Sequence, residues 1–376
     1  MVSLSSRWRI GRIIPGLIAI AFFLDLVPRF FPLNWLSFRA WEAMVHFHAP
    51  CAPLRSAATY ENNASYGDLA AMGNLPKLRR YHREFFSTDR YGYRRNQSTV
   101  GTSKPYGALL LGDSMSMGSS VSDGDTLSSQ LEEKLGVGVY NGASPDNTLT
   151  EAAQILMTAR RLRIGEGTVV YQYLGRLPLP TLYDVASSES ATCDSRWKIW
   201  KDYAVEFVKV SPVQIVAQRL FKRLQNDLVL PNTLKKKVVE KTLSNGATML
   251  FVPIDVNNYR RQRSIQLDGI KYLYDTLAKH RLTLLVVLTP DKYTVYEPLL
   301  RGADRNNRTE ATYLDRVEAA LKEAHIPVVN LTGYLRQKAR EALARDEYIY
   351  WHDDSHWNAR GIELAADEIV RQNLIH

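Results

Sequence analysis

The chain has 376 residues, 45% hydrophobic and 23% charged, the proportions of a globular protein with a large core and not of a disordered or fibrous one. Its net charge of +9 is uneven, because from Ser211 to Arg263 ten lysines and arginines face only Asp227, Glu240 and Asp255. Such a block suits an anionic polymer or anionic lipid headgroups, or is simply a solvated helix face.

Residues 1–12 carry Arg7, Arg9 and Arg12 and no acid, which predicts a cytoplasmic N-terminus. Residues 13–31 follow as an apolar run broken by Asp25 and Arg29. That length suits a single-pass transmembrane signal anchor in a bacterial inner membrane, with the rest of the chain in the periplasm. Two alternatives stay open: a signal peptide cleaved near Ala19 and Ala21, and a buried soluble helix, which Asp25 favours. An anchor argues against nucleic acid as a partner.

Residues 32–84 read as a juxtamembrane lead-in. Trp35, Phe38, Trp41 and Phe47 with Arg39 suggest an interfacial amphipathic segment, and the stretch beginning Pro50-Cys51-Ala52-Pro53 is rich in turn residues. Cys51 and Cys193 are the only cysteines. They either pair in an oxidising compartment or stay separate as buried thiols, and no Cys/His spacing implies a metal.

From residue 85 to 376 the chain alternates apolar runs with helical patterns. Strands are predicted near residues 108–111, 137–141, 168–174, 282–290 and 326–332, and helices near 126–135, 150–163, 264–280, 311–325 and 358–373. This alternation predicts a three-layer α/β/α sandwich around a parallel sheet. An insertion at about 177–263 interrupts it.

The first apolar run ends at Gly112-Asp113-Ser114. A serine leaving a buried parallel strand stands where open α/β sheets bind ligands, and a nucleophilic serine needs a base oriented by a carboxylate. Near the other end, Asp353-Asp354-Ser355-His356-Trp357-Asn358 offers both, just ahead of the last helix. Asp113 reads as the residue that fixes the turn. Lys292 and Tyr296, after the 282–290 strand, reach the same sheet edge, either to contact substrate or as a capping turn with a packed tyrosine.

These blocks together resemble the SGNH (GDSL-type) hydrolases and acyltransferases. "LGDSMSMG" is similar to their nucleophile block, "VYNGAS" to the block supplying an oxyanion amide, and "DDSHWNARG" to the closing Asp/His block. "TDRYGYR" and "TPDKYTVY" bring the chain closer to the bacterial branch related to alginate O-acetylation proteins. The resemblance implies Ser114 as nucleophile and His356 as base. Asp353 fits the widespread Asp-x-x-His pattern, but Asp354 is preferred as the acid, because Trp357 and Asn358 continue the Asp-x-His-Trp pattern of the acetylation branch. It further implies oxyanion donors at the Ser114 and Gly142 amides, with Arg176 or Asn147 where the usual Asn-Asp block is missing, and substrate contacts at Lys292, Tyr296 and Trp357. The implied activity is O-acetylation of a polysaccharide acceptor without a bound cofactor, the acyl group arriving from a membrane-embedded partner. A carbohydrate esterase or a noncatalytic scaffold would be built from the same residues.

Overall fold

The computed structural model describes residues 4–30, 37–45, 52–96, 105–145, 151–186, 196–209, 211–224, 228, 237–259, 261, 263–303 and 312–375. In chain order its elements are α1 (Leu4–Leu26), β1 (Thr59–Ser65), α2 (Asp68–Met72), β2 (His82–Ser87), β3 (Tyr106–Leu111), α3 (Ser114–Met117), α4 (Leu127–Leu135), β4 (Gly138–Asn141), α5 (Ala152–Arg161) and β5 (Gly167–Leu174). There follow α6 (Leu182–Ala186), α7 (Arg196–Lys209), α8 (Pro212–Arg223), β6 (Val239–Thr242), β7 (Thr248–Phe251), α9 (Pro253–Asn258), α10 (Asp268–Ala278) and β8 (Leu282–Thr289). The chain closes with α11 (Lys292–Tyr296), α12 (Tyr313–Glu323), β9 (Val328–Asn330), α13 (Thr332–Leu343) and α14 (Ala359–Arg371).

Five strands form the central sheet in the order β4-β3-β5-β8-β9, every pairing parallel. Parallel strands are covered on both faces, which is why Leu109 to Leu111 and Leu284 to Leu288 are continuous apolar runs instead of alternating ones. On one face the sheet packs on Leu127 and Leu131 of α4, Leu335 and Ala339 of α13, and Ile362 and Ile369 of α14. On the other it packs on Ile155 of α5, Leu273 and Leu277 of α10, and Val317 and Leu321 of α12. The three layers match the expected sandwich. The strand order turns back on itself at β3, so the crevice at the carboxyl ends of β3 and β5 is the natural ligand site of such a sheet.

Three regions differ from expectation. The first is the anchor. Among the described residues no helix is long and apolar enough to cross a membrane, so the single-pass, inner-membrane assignment of residues 13–31 is not supported. The reason lies in the composition of α1: its apolar stretch is closed by Arg12 on one side and Asp25 on the other, short of the roughly 20 residues a bilayer core requires. Asp25 pairs with Arg29 and accepts the Ser211 hydroxyl, tying the end of α1 to the start of α8. Ile14, Leu17, Ile18, Phe22 and Phe23 are nonetheless exposed.

The second is the lead-in. β1 and β2 pair antiparallel, and Met44, Leu54, Tyr60 and Phe86 pack against Met117 and Ala143 of the core domain. Arg39 lies over the rings of Phe38 and Trp41, and the Trp41 indole donates to the Ser119 hydroxyl at 3.0 Å. These residues therefore sit on the catalytic domain and not outside it; Trp35, Phe47 and both cysteines lie outside the described residues. The third is α13, whose buried positions Leu335, Ala339, Ala342 and Leu343 follow a helical spacing that two alanines make faint in sequence.

Candidate active site

The site starts from the way β3 ends. Gly112 has φ +152°, and a Cβ there would fall 2.1 Å from the Ser116 hydroxyl, so only glycine lets the strand turn this sharply. Asp113 then caps α3, its side chain accepting from the Met115 amide at 2.8 Å. Burial, opposed by that amide and by nearby His356 and Arg176, raises the Asp113 carboxyl above its usual range. Ser114 is thereby presented as the first residue of α3 at the crevice.

Its partners arrive from the loop ahead of α14. His356 Nε2 lies 2.8 Å from the Ser114 hydroxyl. On the other side of the ring, Nδ1 lies 2.5 Å from Asp354 Oδ1, which also accepts the His356 amide at 2.9 Å. Asp354 Oδ2 accepts from the Ser120 hydroxyl at 2.8 Å and the Asp68 amide at 3.0 Å. Burial alone would push the Asp354 carboxyl up, but the imidazole charge, the two hydrogen bonds from His356 and the charge of Arg39 hold it well below the usual carboxylate range. Burial likewise disfavours charge on His356, and Asp354 overcomes it, raising the imidazole above its ordinary value. Ser114, His356 and Asp354 stand in line, the geometry that a serine nucleophile, its base and an orienting acid require.

Asp353, the other candidate acid, faces away. Its Oδ2 accepts from the Gly67 amide at 2.9 Å and the Arg80 amide at 2.7 Å, and burial raises its carboxyl. It stitches the loop to the β1–β2 segment. The β6–β7 part of the insertion braces the same loop, the Leu250 amide donating to the His352 carbonyl at 2.9 Å.

The expected substrate contacts lie inside the protein. Lys292 is 1% exposed, and its ammonium donates to the carbonyls of His352 at 3.0 Å and Asp354 at 2.9 Å, while burial pushes its pKa down to about 7. Tyr296 is fully buried, its hydroxyl accepting from the Ile349 amide. Trp357 is fully buried too, its indole donating to the Met115 carbonyl at 3.3 Å behind the nucleophile. Trp357 ties the His356 loop to the turn after β3, Lys292 and Tyr296 brace the His356 loop and the chain leading into it, and none of the three leaves surface to a ligand.

The oxyanion candidates divide. The Gly142 amide is spent on the Leu110 carbonyl at 2.8 Å, continuing the β3–β4 pairing past the strand end, so it is not free to bind an oxyanion. Asn147 lies outside the described residues. Arg176, at the end of β5, is drawn toward Asp255 at 3.3 Å. Burial and neighbouring Asp291 push Asp255 up to about 7 despite Arg176, and neither of its carboxylate oxygens has a hydrogen bond among the described residues. Arg176, Asp255, Asn258, Tyr259, Asp291 and Tyr313 line a cleft of about 40 Å³, room for one or two water-sized groups.

Asp68, Asp354 and His356 each place a ligand atom within 4.8 Å of the others. Because His356 Nδ1 and both Asp354 oxygens are committed to hydrogen bonds, this is a triad environment and not a preformed ion cage. Gly67, Asp68 and Ser120 were missed in the sequence. The one signal for the first two is a Gly-Asp pair opening a short helical pattern at "GDLAAM".

Residues 254–373 match the family described as the SGNH hydrolase-like domain of the acetyltransferase AlgX. The match includes Asp354 and His356, whereas Ser114 lies ahead of it. No curated protein matches the chain. The chain is thus related to the SGNH superfamily and, within it, to the alginate O-acetylation proteins.

Proposed function

We propose, from the relation of residues 254–373 to an acetyltransferase domain, that this protein is a serine O-acyltransferase that acetylates hydroxyls of an exported or cell-surface polysaccharide. The observation that carries the reading is the aligned set Ser114, His356 and Asp354 at the carboxyl edge of a parallel sheet. His356 Nε2 takes the Ser114 proton as the oxygen attacks the acyl carbonyl. The leaving group departs with that proton, and acetyl-Ser114 remains. An acceptor hydroxyl then attacks the ester, gives its proton to His356 Nε2, and leaves as the acetylated sugar while the proton returns to Ser114. Asp354 stabilises the imidazolium in both halves.

The cleft beside Arg176 supports an alcohol acceptor. It sets buried acceptors at Asp255 against donors at Arg176, the groups a hydroxyl can satisfy in pairs. The reaction belongs on the periplasmic side, and the acyl group is supplied by a membrane-embedded partner, since acetyl donors of the cytoplasm do not reach that compartment. A polysaccharide esterase would use the same triad with water as acceptor.

The test uses the full chain, p-nitrophenyl acetate as donor and a panel of oligosaccharides as acceptors, with acetate and acetylated sugar both followed by mass spectrometry. Acetylated sugar that vanishes in Ser114→Ala is the expected result. Acetate alone, unaffected by any acceptor, establishes the esterase instead, and equal products from Ser114→Ala refute both.

A further inference from the structure

A second carboxylate faces the catalytic imidazole from outside the SGNH-like blocks. We infer that Asp68 is a positioning residue that fixes the loop carrying His356 and adds a second negative charge beside the imidazolium formed in each half-reaction. This rests on the triad reading above and extends it to a segment that the sequence presents as a mere lead-in.

The geometry interlocks in both directions. Asp68 accepts from the Ser355 amide through Oδ1 and from the Ser355 hydroxyl through Oδ2, both at 2.7 Å. Its own amide donates to Asp354 Oδ2, the Gly67 amide donates to Asp353 Oδ2, and the Ala70 amide donates to the Asp353 carbonyl at 3.0 Å. The three residues preceding His356, Asp353, Asp354 and Ser355, are thus all tied to the start of α2. Asp68 Oδ2 then lies 3.8 Å from His356 Nδ1, too far for a hydrogen bond but close enough to act as a charge.

Among the described residues, charged groups reach the ring from several elements. Asp354 comes from the same loop, Asp113 from the turn after β3, and Asp68 from α2. Arg39, on the segment ahead of β1, stands 3.7 Å from Asp68 and opposes it. Asp68 favours the protonated ring, and Arg39 disfavours it. The β1–β2 segment therefore carries a matched pair of opposite sign acting on the base.

That pairing gives a test a purely structural role would not pass. Asp68→Asn keeps an oxygen for the Ser355 amide, removes the charge, and obliges the Ser355 hydroxyl to accept where it had donated. The acid limb of kcat/KM for p-nitrophenyl acetate, set by deprotonation of His356 in the free enzyme, moves down by about one pH unit, the low end of the shift that an opposite charge within about 4–6 Å produces. Arg39→Gln moves the same limb up. Histidine NMR titration of Ser114→Ala, with and without each second substitution, reads the same two shifts without turnover. A folded Asp68→Asn with an unmoved midpoint, or two variants shifting in the same direction, overturns the proposal. Wild type that titrates as stated but never acylates overturns the catalytic reading alone, and if Asp68→Asn does not fold, the direction of the Arg39→Gln shift decides.

Discussion

Two adjacent aspartates compete for the third place in the triad, and replacing each by asparagine separates them. Asp354 accepts four hydrogen bonds, two at each oxygen, from His356 Nδ1, the His356 amide, the Asp68 amide and the Ser120 hydroxyl. An asparagine NH₂ put at either oxygen meets a backbone N–H that has nothing to accept it. Placed on the His356 side, it also forces the ring into the tautomer with a proton on Nε2, which cannot take the Ser114 proton. The loss expected in kcat for Asp354→Asn is about 10³- to 10⁴-fold, the scale of the same change in serine proteases. Asp353 is different, since both of its amide donors converge on Oδ2 and its buried Oδ1 has no partner among the described residues. The asparagine oxygen of Asp353→Asn keeps both bonds without their charge assistance and its NH₂ takes the unpartnered Oδ1 position, which together cost about 1–3 kcal/mol of stability and leave kcat within a fewfold of wild type. The assay is turnover of p-nitrophenyl acetate at saturating substrate, with urea unfolding of each variant as the control for folding. Equal losses of kcat in both variants, or an Asp354→Asn variant within tenfold of wild type, would refute the assignment of Asp354 as the orienting acid.

Other substitutions test the supports of the site. A Cβ on Gly67 would lie 2.0 Å from the Asp353 carbonyl oxygen and 2.2 Å from its carbon, contacts with backbone that no side-chain rotation relieves. Gly67→Ala should therefore push α2 off the triad loop, destabilising the fold by about 1–3 kcal/mol and cutting acetyl-ester turnover more than tenfold; unchanged turnover would show that the β1–β2 segment is dispensable. Lys292→Met removes two donors from buried carbonyls, a cost of about 1–3 kcal/mol for each orphaned group, partly offset by no longer burying an ammonium. We expect net destabilisation in urea unfolding and a lower kcat with little change in KM. A large rise in KM with normal stability would return Lys292 to the substrate side.

Much of the sheet was legible because its signals are local. Leu109 to Leu111, Val169 to Tyr171 and Leu284 to Leu288 are apolar at consecutive positions, as strands covered on both faces must be, and the serine turn is marked by glycine, a capping aspartate and a hydroxyl in one short run. The expected anchor finds no support, because Arg12 and Asp25 close the apolar stretch before bilayer length and no helix among the described residues is long and apolar enough to cross a membrane. Lys292, Tyr296 and Trp357 were placed on the correct edge of the sheet but on the wrong side of the protein surface. Polar side chains near a site look like ligand contacts until the carbonyls they satisfy are seen.

By itself the sequence determined the α/β alternation, the serine at the end of the first core strand, and the histidine and two aspartates that answer it. These depend on the residue types needed along a few neighbouring positions. The sequence already leaned to Asp354 through Trp357 and Asn358; only the tertiary structure turned Asp353 away from the ring, spent the Gly142 amide on Leu110, and brought Asp68 against His356. The roles of Asp353 and Asp68 are set by which groups a docked segment presents to the loop, some 286 residues away in the chain, and a relation of that kind leaves no periodicity or spacing for a sequence to record.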